Sequence, residues 1–414
     1  MIDSQTLTLS KQLTVLQKAA RELAFSCLNK LSVGSLKVVE SFEVMAPQTH
    51  QFWGTHSREG LEATIEIKHP GFYSRLLKGG SIAAGEAYMD GWWESPNLSA
   101  LMELMARNMA ALDSIESRSG IISRYSNRFT HWLKRNTLVN SARNIQAHYD
   151  LSNALYQTFL DDRMLYSSGI FDNKNDTLEQ AQINKMERLC QQLKLTSNDR
   201  VIEIGTGWGA MAVYMAENYG CHVTTTTISE EQHQHTEELI KEKGLEGRVT
   251  LLKQDYRLLK GEFDKLVSIE MIEAVGKQFL TSYVEKCQSL LKSGGLMAIQ
   301  AITIADQRYE YYSNNVDFIQ KYIFPGGFLP SITALTQTAT NHSDLVLRDL
   351  YDIGQDYADT LRQWYLRFNH ALETVESLGF DERFTRMWNY YFCYCEGGFR
   401  ARTISTVHMT FQRP

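Results

Sequence analysis

The sequence predicts a doubly wound α/β domain preceded by a small α+β domain, and three observations carry that expectation. From residue 178 onward, strand-like and helix-like segments alternate, the pattern of a parallel sheet covered by helices on both faces. The apolar run Val201-Ile202-Glu203-Ile204 passes into Gly205-Thr206-Gly207-Trp208-Gly209 and then into Ala210 to Tyr219 at helical spacing, so strand, tight turn and helix start follow one another. The first 115 residues lack this rhythm and mix helical with strand-like pieces.

In chain order, Leu13, Leu16, Ala20, Leu23, Cys27 and Leu31 recur at three- and four-residue steps and predict an amphipathic helix over 9–31. Residues 36–39 and 63–67 read as strands. Residues 72–77 and 83–90 read as short helices, and the tryptophans of this first domain, 1–115, are expected in its core. A basic amphipathic linker follows at 116–145. Between 117 and 149 lie Arg118, Arg124, Arg128, Lys134, Arg135 and Arg143, interleaved with Tyr125, Phe129, Trp132 and Leu133 and without one acidic residue. Two readings stand: a solvated helix packing on acidic parts of the protein, or a segment docking on anionic lipid, where each basic residue adds about 1 kcal/mol, a chemistry that nucleic acid could also use.

The third region, 146–414, carries the alternation. A helix at 178–193 precedes the glycine turn, and strands are expected at 223–228, 249–252, 265–269 and 296–304. Helices fall at 230–243 and 279–291, the latter stopping at Ser293-Gly294-Gly295. Residues 306–332 break the rhythm with Tyr309, Tyr311, Tyr312, Phe318, Tyr322, Phe324 and Phe328, and are expected to form a helical lid insertion over the sheet edge.

Glycines stand where a backbone turns sharply and must approach a ligand without a Cβ in the way. The helix start beyond them offers free N–H groups and positive dipole character. The third glycine comes one residue too early for the dinucleotide fingerprint. The spacing fits instead the nucleoside-binding turn of S-adenosylmethionine-dependent methyltransferases of the class I, Rossmann-like kind. Ligand is then expected at the carboxyl ends of the strands.

Composition sets outer limits. With 414 residues, 43% hydrophobic and 22% charged, the chain has room for two or three globular domains. A net charge of −6 excludes a uniformly basic surface, so no nucleic acid is expected as partner. Residues 1–22 hold Asp3, Lys11, Lys18 and Arg21 and read as neither signal peptide nor membrane span. Six scattered cysteines without a Cys-x-x-Cys pair suggest free thiols in a reducing cytoplasm. His222, His233 and His235 lack metal-ligand spacing, and no metal is expected.

Beyond the glycine turn, the catalytic half resembles the cyclopropane-fatty-acyl-phospholipid synthases and related lipid C-methyltransferases. The resemblance rests on His148-Tyr149-Asp150-Leu151, Met164-Leu165-Tyr166-Ser167, Glu203 to Gly209, Ile228-Ser229-Glu230-Glu231-Gln232, Glu270-Met271-Ile272-Glu273-Ala274-Val275-Gly276, Phe324-Pro325-Gly326-Gly327 with Leu329-Pro330-Ser331, and Tyr357-Ala358-Asp359-Thr360-Leu361 with Trp364. It covers about 270 residues in the right order, and a domain the size of 1–115 occurs in longer bacterial members.

The resemblance implies a site residue by residue. Gly205 and Gly207 approach the methionine part of S-adenosylmethionine, Gln232 holds the ribose, Asp255 and Tyr256 flank the adenine, and Tyr166 and Ser167 close over the cofactor. Glu203, Gly209, Thr227, Ile228 and Ile269 complete the cofactor side. The family's base is a bicarbonate held by cysteine, glutamate, histidine, tyrosine and a backbone amide. Here these positions are Ser168, Glu273, Gln300, Tyr357 and Ile302, with His148 as a further catalytic candidate. Serine and glutamine replace the cysteine and the histidine, and Ala274 replaces a histidine common after the glutamate. Ser168 and Gln300 can still hydrogen-bond an anion, but neither relays a proton as histidine does.

Two products therefore stay open: a cyclopropane ring, or a methyl-branched alkene. The implied substrate is the cis double bond of phospholipid acyl chains, met by a cytoplasmic enzyme peripherally bound to an anionic membrane surface, with a homodimer among the expected states. A soluble-acceptor methyltransferase and a silent lipid- or cofactor-binding protein are the competing readings.

Overall fold

The computed structural model describes residues 13–42, 47–55, 60–109 and 152–414. The basic linker 116–145 and His148 lie outside the described residues. Two compact units emerge. The first combines the N-terminal residues with 382–397, and the second holds the remaining C-terminal residues.

In the first unit, helix α1 (Val15–Leu28) starts at Thr14, whose hydroxyl caps Gln17 while the Gln17 side chain answers the Thr14 amide. Strands β1 (Ser35–Glu40), β2 (Gln48–Trp53) and β3 (Glu62–Ile67) follow, then helix α2 (Phe72–Met89), strand β4 (Trp93–Glu94) and helix α3 (Leu98–Arg107). The sheet order is β2-β1-β3-β4. Gly80, at φ 60 and ψ −144, breaks α2 into the two short helices that the sequence suggests. Trp93 is buried as expected, but Trp53 is 65% exposed and belongs to no core. Residues 382–397 are held within this unit by Arg386 Nε on the Tyr88 carbonyl (2.7 Å) and by Ser99 on the buried Glu396 carboxylate (2.5 Å). A linear division of the chain places that segment with the second unit, because nothing local marks a helix whose partners lie about 300 residues upstream.

The second unit opens with helix α4 (Asn153–Gln157) and helix α5 (Leu178–Leu193). Strand β5 (Arg200–Ile204), helix α6 (Ala210–Tyr219), strand β6 (His222–Thr227), helix α7 (Glu230–Glu242), strand β7 (Val249–Lys253), strand β8 (Phe263–Ile269), helix α8 (Leu280–Leu290) and strand β9 (Leu291–Ile304) then alternate as expected. After β9 come helices α9 (Asp306–Ser313), α10 (Phe318–Tyr322) and α11 (Ile332–His342), strand β10 (Val346–Asp352), helices α12 (Gly354–His370) and α13 (Leu372–Ser377), then helix α14 (Glu382–Arg400), whose residues 382–397 belong to the first unit, and strand β11 (Ile404–Gln412).

The seven-stranded sheet has the order β10-β11-β9-β8-β5-β6-β7, with β11 antiparallel to both neighbours and the other described pairs parallel. Alternate residues of each strand feed opposite faces. Ile202 and Ile204 pack with α8 and α11, whereas Val201 packs with α5, α6 and α7.

Three sequence expectations change. Ser293-Gly294-Gly295 does not end a helix but lies inside β9, since α8 already stops at Leu290. The sheet gains β10 and β11, which the strand–helix rhythm did not announce. Residues 306–332 cover the carboxyl end of the central strands rather than a sheet edge: the Phe328 amide donates to the Glu273 carbonyl (2.9 Å) and the Ile304 amide to the Pro330 carbonyl (3.0 Å).

Candidate active site

The glycine turn leaves β5 with three consecutive odd-position glycines at positive φ: Gly205 at 98, Gly207 at 54 and Gly209 at 92. They serve different ends. A Cβ on Gly209 would stand 2.8 Å from the buried Thr236 side chain, so that glycine lets α7 pack against the turn. A Cβ on Gly207 would meet nothing within 4 Å, so that glycine faces open space above the sheet. Beneath the turn, the buried Glu203 carboxylate accepts from Thr225 Oγ1 (2.6 Å), and burial pushes its pKa up to about 8.

The neighbouring strand ends supply the other cofactor-side candidates. Thr227, buried at the end of β6, donates to Gln232 Oε1 (2.8 Å), and Ser229, just past Ile228, caps α7 through the Gln232 amide. Asp255, after β7, is chelated by its neighbour Arg257 at 2.6 and 2.8 Å. Tyr256 stands edge-on to Tyr283 at 5.6 Å. Ile269 closes β8 beside Gln300 in the strand register. All lie at the carboxyl ends of parallel strands.

Residues 161–171 run under α12 and α5. The Gly169 amide donates to Thr360 Oγ1 (3.1 Å) and the Phe171 amide to Asp356 (2.9 Å), both from α12. From α5, Gln182 donates to the Ser167 carbonyl (2.8 Å) and the fully buried Lys185 ammonium to Ser167 Oγ (2.6 Å). Burial lowers the Lys185 pKa to about 8, with the Glu270 and Asp161 carboxylates opposing that shift. The partly buried Tyr166 ring lies in an aromatic wall with Trp364 (5.2 Å), Tyr156 (5.4 Å), Phe159 (6.0 Å) and Phe324 (6.0 Å).

Three of the catalytic candidates converge, but on Glu270. Glu270 leaves β8 at φ 47, a conformation rare for a side-chain-bearing residue. Its Oε1 accepts from the Ser168 amide (3.0 Å) and Gln300 Nε2 (2.7 Å), and its Oε2 accepts from the Tyr357 hydroxyl (2.8 Å). Gln300 also donates to the Ser168 carbonyl (3.2 Å), and Ser168 Oγ donates to the Gly169 carbonyl (2.9 Å). Glu273 is held apart, its Oε1 on the Ile302 amide and its Oε2 without a partner among the described residues. Burial first, and the Glu270 charge second, push Glu273 up to about 8. The five positions expected around one anion are thus divided between two carboxylates.

Sequence reasoning gave Glu270 no catalytic role and passed over Lys185 and His408. Lys185 had a readable signal: it sits on the apolar face of α5, four residues from Ala181 and from Leu189.

A pH dependence follows from the two raised carboxyls. Folded Glu203 and Glu273 hold their protons to about pH 8, whereas the unfolded chain releases them near the ordinary 4.5. The folded state binds more protons in between, so their contribution is fully present below pH 4.5 and is lost as pH rises through 8. Two groups act in the opposite sense: Lys185 only above pH 8, and the buried neutral His408 only below about pH 6.5. The thermal midpoint of the ligand-free protein should therefore fall from pH 5 to 8 by an amount that Glu203→Gln with Glu273→Gln removes. An unchanged slope in that double variant would place the titrating groups elsewhere.

The family described as mycolic acid cyclopropane synthetase matches residues 136–409. A cyclopropane-fatty-acyl-phospholipid synthase from Escherichia coli (strain K12) is 37% identical over 404 residues, 94% of this chain and 97% of that protein. The tuberculostearic acid methyltransferase UfaA1 of Mycobacterium tuberculosis is 36% identical over 82% of this chain and 80% of its own length. Among solved structures, the mycolic acid cyclopropane synthase CmaA1 complexed with SAH and CTAB superposes with a TM-score of 0.61 at 26% identity, covering 66% of this chain and 98% of that one.

Proposed function

Because this chain belongs to the mycolic acid cyclopropane synthetase family, we propose that it adds a one-carbon unit to the cis double bond of unsaturated phospholipid acyl chains and closes it to a cyclopropane ring. It is an S-adenosylmethionine-dependent enzyme of lipid modification. The observation that supports this chemistry best is Glu273: a buried carboxyl with one oxygen unpartnered among the described residues and a pKa near 8, its backbone carbonyl held by the Phe328 amide of the lid.

The residues fit the cofactor, since open space above Gly207 lies next to the free N–H groups at the start of α6. When bound, S-adenosylmethionine supplies an electrophilic methyl group. An alkene is a weak nucleophile, so the chain must hold the double bond in line with that carbon. Attack by the alkene on that methyl would break its bond to sulfur, release S-adenosylhomocysteine and leave a cation on the acyl chain. The faces of Tyr166, Trp364 and Phe324 stabilise such a cation. Glu273 then takes a proton from the transferred carbon, and the released electron pair closes the ring. A base with pKa near the working pH suits this step. The donors expected around a bicarbonate are committed elsewhere in this arrangement: the Ile302 amide, Tyr357 hydroxyl, Gln300 amide and Ser168 hydroxyl each already donate within the chain.

A second product, the methyl-branched alkene, is favoured by one feature: Gln300 stands where a proton-relaying histidine is expected and cannot ionise. The acid-free basic stretch 117–149 supports peripheral docking on anionic lipid.

One experiment separates these readings. The protein is incubated with methyl-labelled S-adenosylmethionine and vesicles of unsaturated phospholipid, either zwitterionic or containing anionic lipid. Acyl chains are then analysed by mass spectrometry. A labelled CH2 gain without a residual double bond is the expected result, and a retained double bond would identify the branched product. Label only on added soluble acceptors would sink the lipid proposal. Reversing Arg124, Arg128, Lys134 and Arg135 to Glu should abolish the advantage of anionic vesicles; an undiminished advantage would remove this stretch from the docking surface.

A further inference from the structure

The Glu270 cluster rests on a residue with no expected role. His408 lies on β11 directly opposite Gln300 of β9 in the antiparallel register. It is fully buried, and its Nε2 stands 2.8 Å from Gln300 Oε1. Its Nδ1 has no partner among the described residues.

The hydrogen-bond inventory determines the direction of this contact. Gln300 faces two acceptors on its other side, Glu270 Oε1 at 2.7 Å and the Ser168 carbonyl at 3.2 Å. Only its NH2 group can satisfy both, so its carbonyl oxygen turns toward β11. An amide oxygen requires a donor, and His408 Nε2 must therefore carry hydrogen. A neutral ring with its single proton on Nε2 leaves Nδ1 as a bare acceptor, consistent with its lack of a partner. Burial, reinforced by the charges of Arg188 and Lys185, lowers the imidazole pKa to about 3, so the ring is uncharged at any working pH.

We propose that His408 is a positioning residue for the reaction: as a neutral Nε2–H donor it locks the Gln300 amide in the one orientation that presents its NH2 to Glu270 and to the segment bearing Ser168. The imidazole that position 300 lacks thus stands one strand away, acting on the site through glutamine rather than facing the reactants. A flipped amide would set its oxygen against the Glu270 carboxylate and the Ser168 carbonyl, two buried repulsive contacts that loosen the segment carrying Tyr166 and Ser167. The role in turnover rests on the lipid-methylation reading. The tautomer does not.

Two measurements test it. Histidine nitrogen NMR on the full-length protein should show His408 as the Nε2–H tautomer, without titration between pH 5 and 8. An Nδ1–H tautomer or a titrating ring would overturn the proposal, whatever the protein catalyses. The second is a double-mutant cycle on vesicle methylation. His408→Leu should lower kcat about tenfold, the size of one lost hydrogen bond, with KM for S-adenosylmethionine unchanged. His408→Gln retains a donor and should recover most of that loss, which a purely packing role would not allow. In a Gln300→Leu background, His408→Leu should cost little more, because the group it orients is gone. Equal losses in both backgrounds, or a His408→Gln variant no better than His408→Leu, would refute it. An inactive wild type would count against the lipid reading alone, and the tautomer would still decide the His408–Gln300 contact.

Discussion

Glu273→Gln is expected to lower the rate of lipid methylation about 10³-fold while leaving affinity for S-adenosylhomocysteine within about threefold. Loss of a general base costs roughly 10²–10⁴-fold. Glu273 is suited to that role because its second oxygen is uncommitted and its pKa is raised to about 8. At neutral pH the carboxyl is mostly protonated, so glutamine reproduces its shape and charge, and the Ile302 amide keeps an acceptor. Folding stability should therefore survive, and the loss should fall on kcat. Turnover by vesicle assay and affinity by calorimetry separate the two quantities. A variant retaining more than a tenth of wild-type turnover would remove Glu273 as the base and turn attention to Glu270, the neighbouring buried carboxylate.

Gly207→Val should weaken cofactor binding by roughly 100-fold, the upper range of overpacking a well-filled contact. The reason is geometric. The position has φ 54 and an added Cβ would meet no protein atom within 4 Å, so the new side chain enters the space assigned to the ligand. The fold should lose only the cost of one left-handed residue, about 1–2 kcal/mol. Gly209→Ala serves as the contrast. There the added carbon meets Thr236 at 2.8 Å with φ 92, so stability should suffer before binding does. Urea denaturation and calorimetry on both variants read the difference. Unimpaired binding in Gly207→Val would place the cofactor away from this turn.

The sequence was informative wherever the cause is local. Helices 178–193 and 210–219 appear with the expected bounds, because apolar periodicity, the Thr177 cap and the flanking glycines act within a few residues. The strand ends carrying Glu203, Thr227 and Asp255 were equally legible. Legibility fails where the pattern is not local. Strand β10 is exposed along its whole length and shows no apolar alternation, and β11 buries Thr406, His408 and Thr410, polar residues that mask a core strand.

What the sequence by itself determined is the class of the domain, the place of the glycine turn and the list of chemical groups available to the candidate site. Tertiary structure alone decided how those groups are paired. Ser168 meets Glu270 across 102 residues, Tyr357 meets it across 87, and His408 meets Gln300 across 108. Residue spacing carries no record of such contacts. They arise because buried donors and acceptors must find partners, and the strand register of β8, β9 and β11 determines which partners lie within reach.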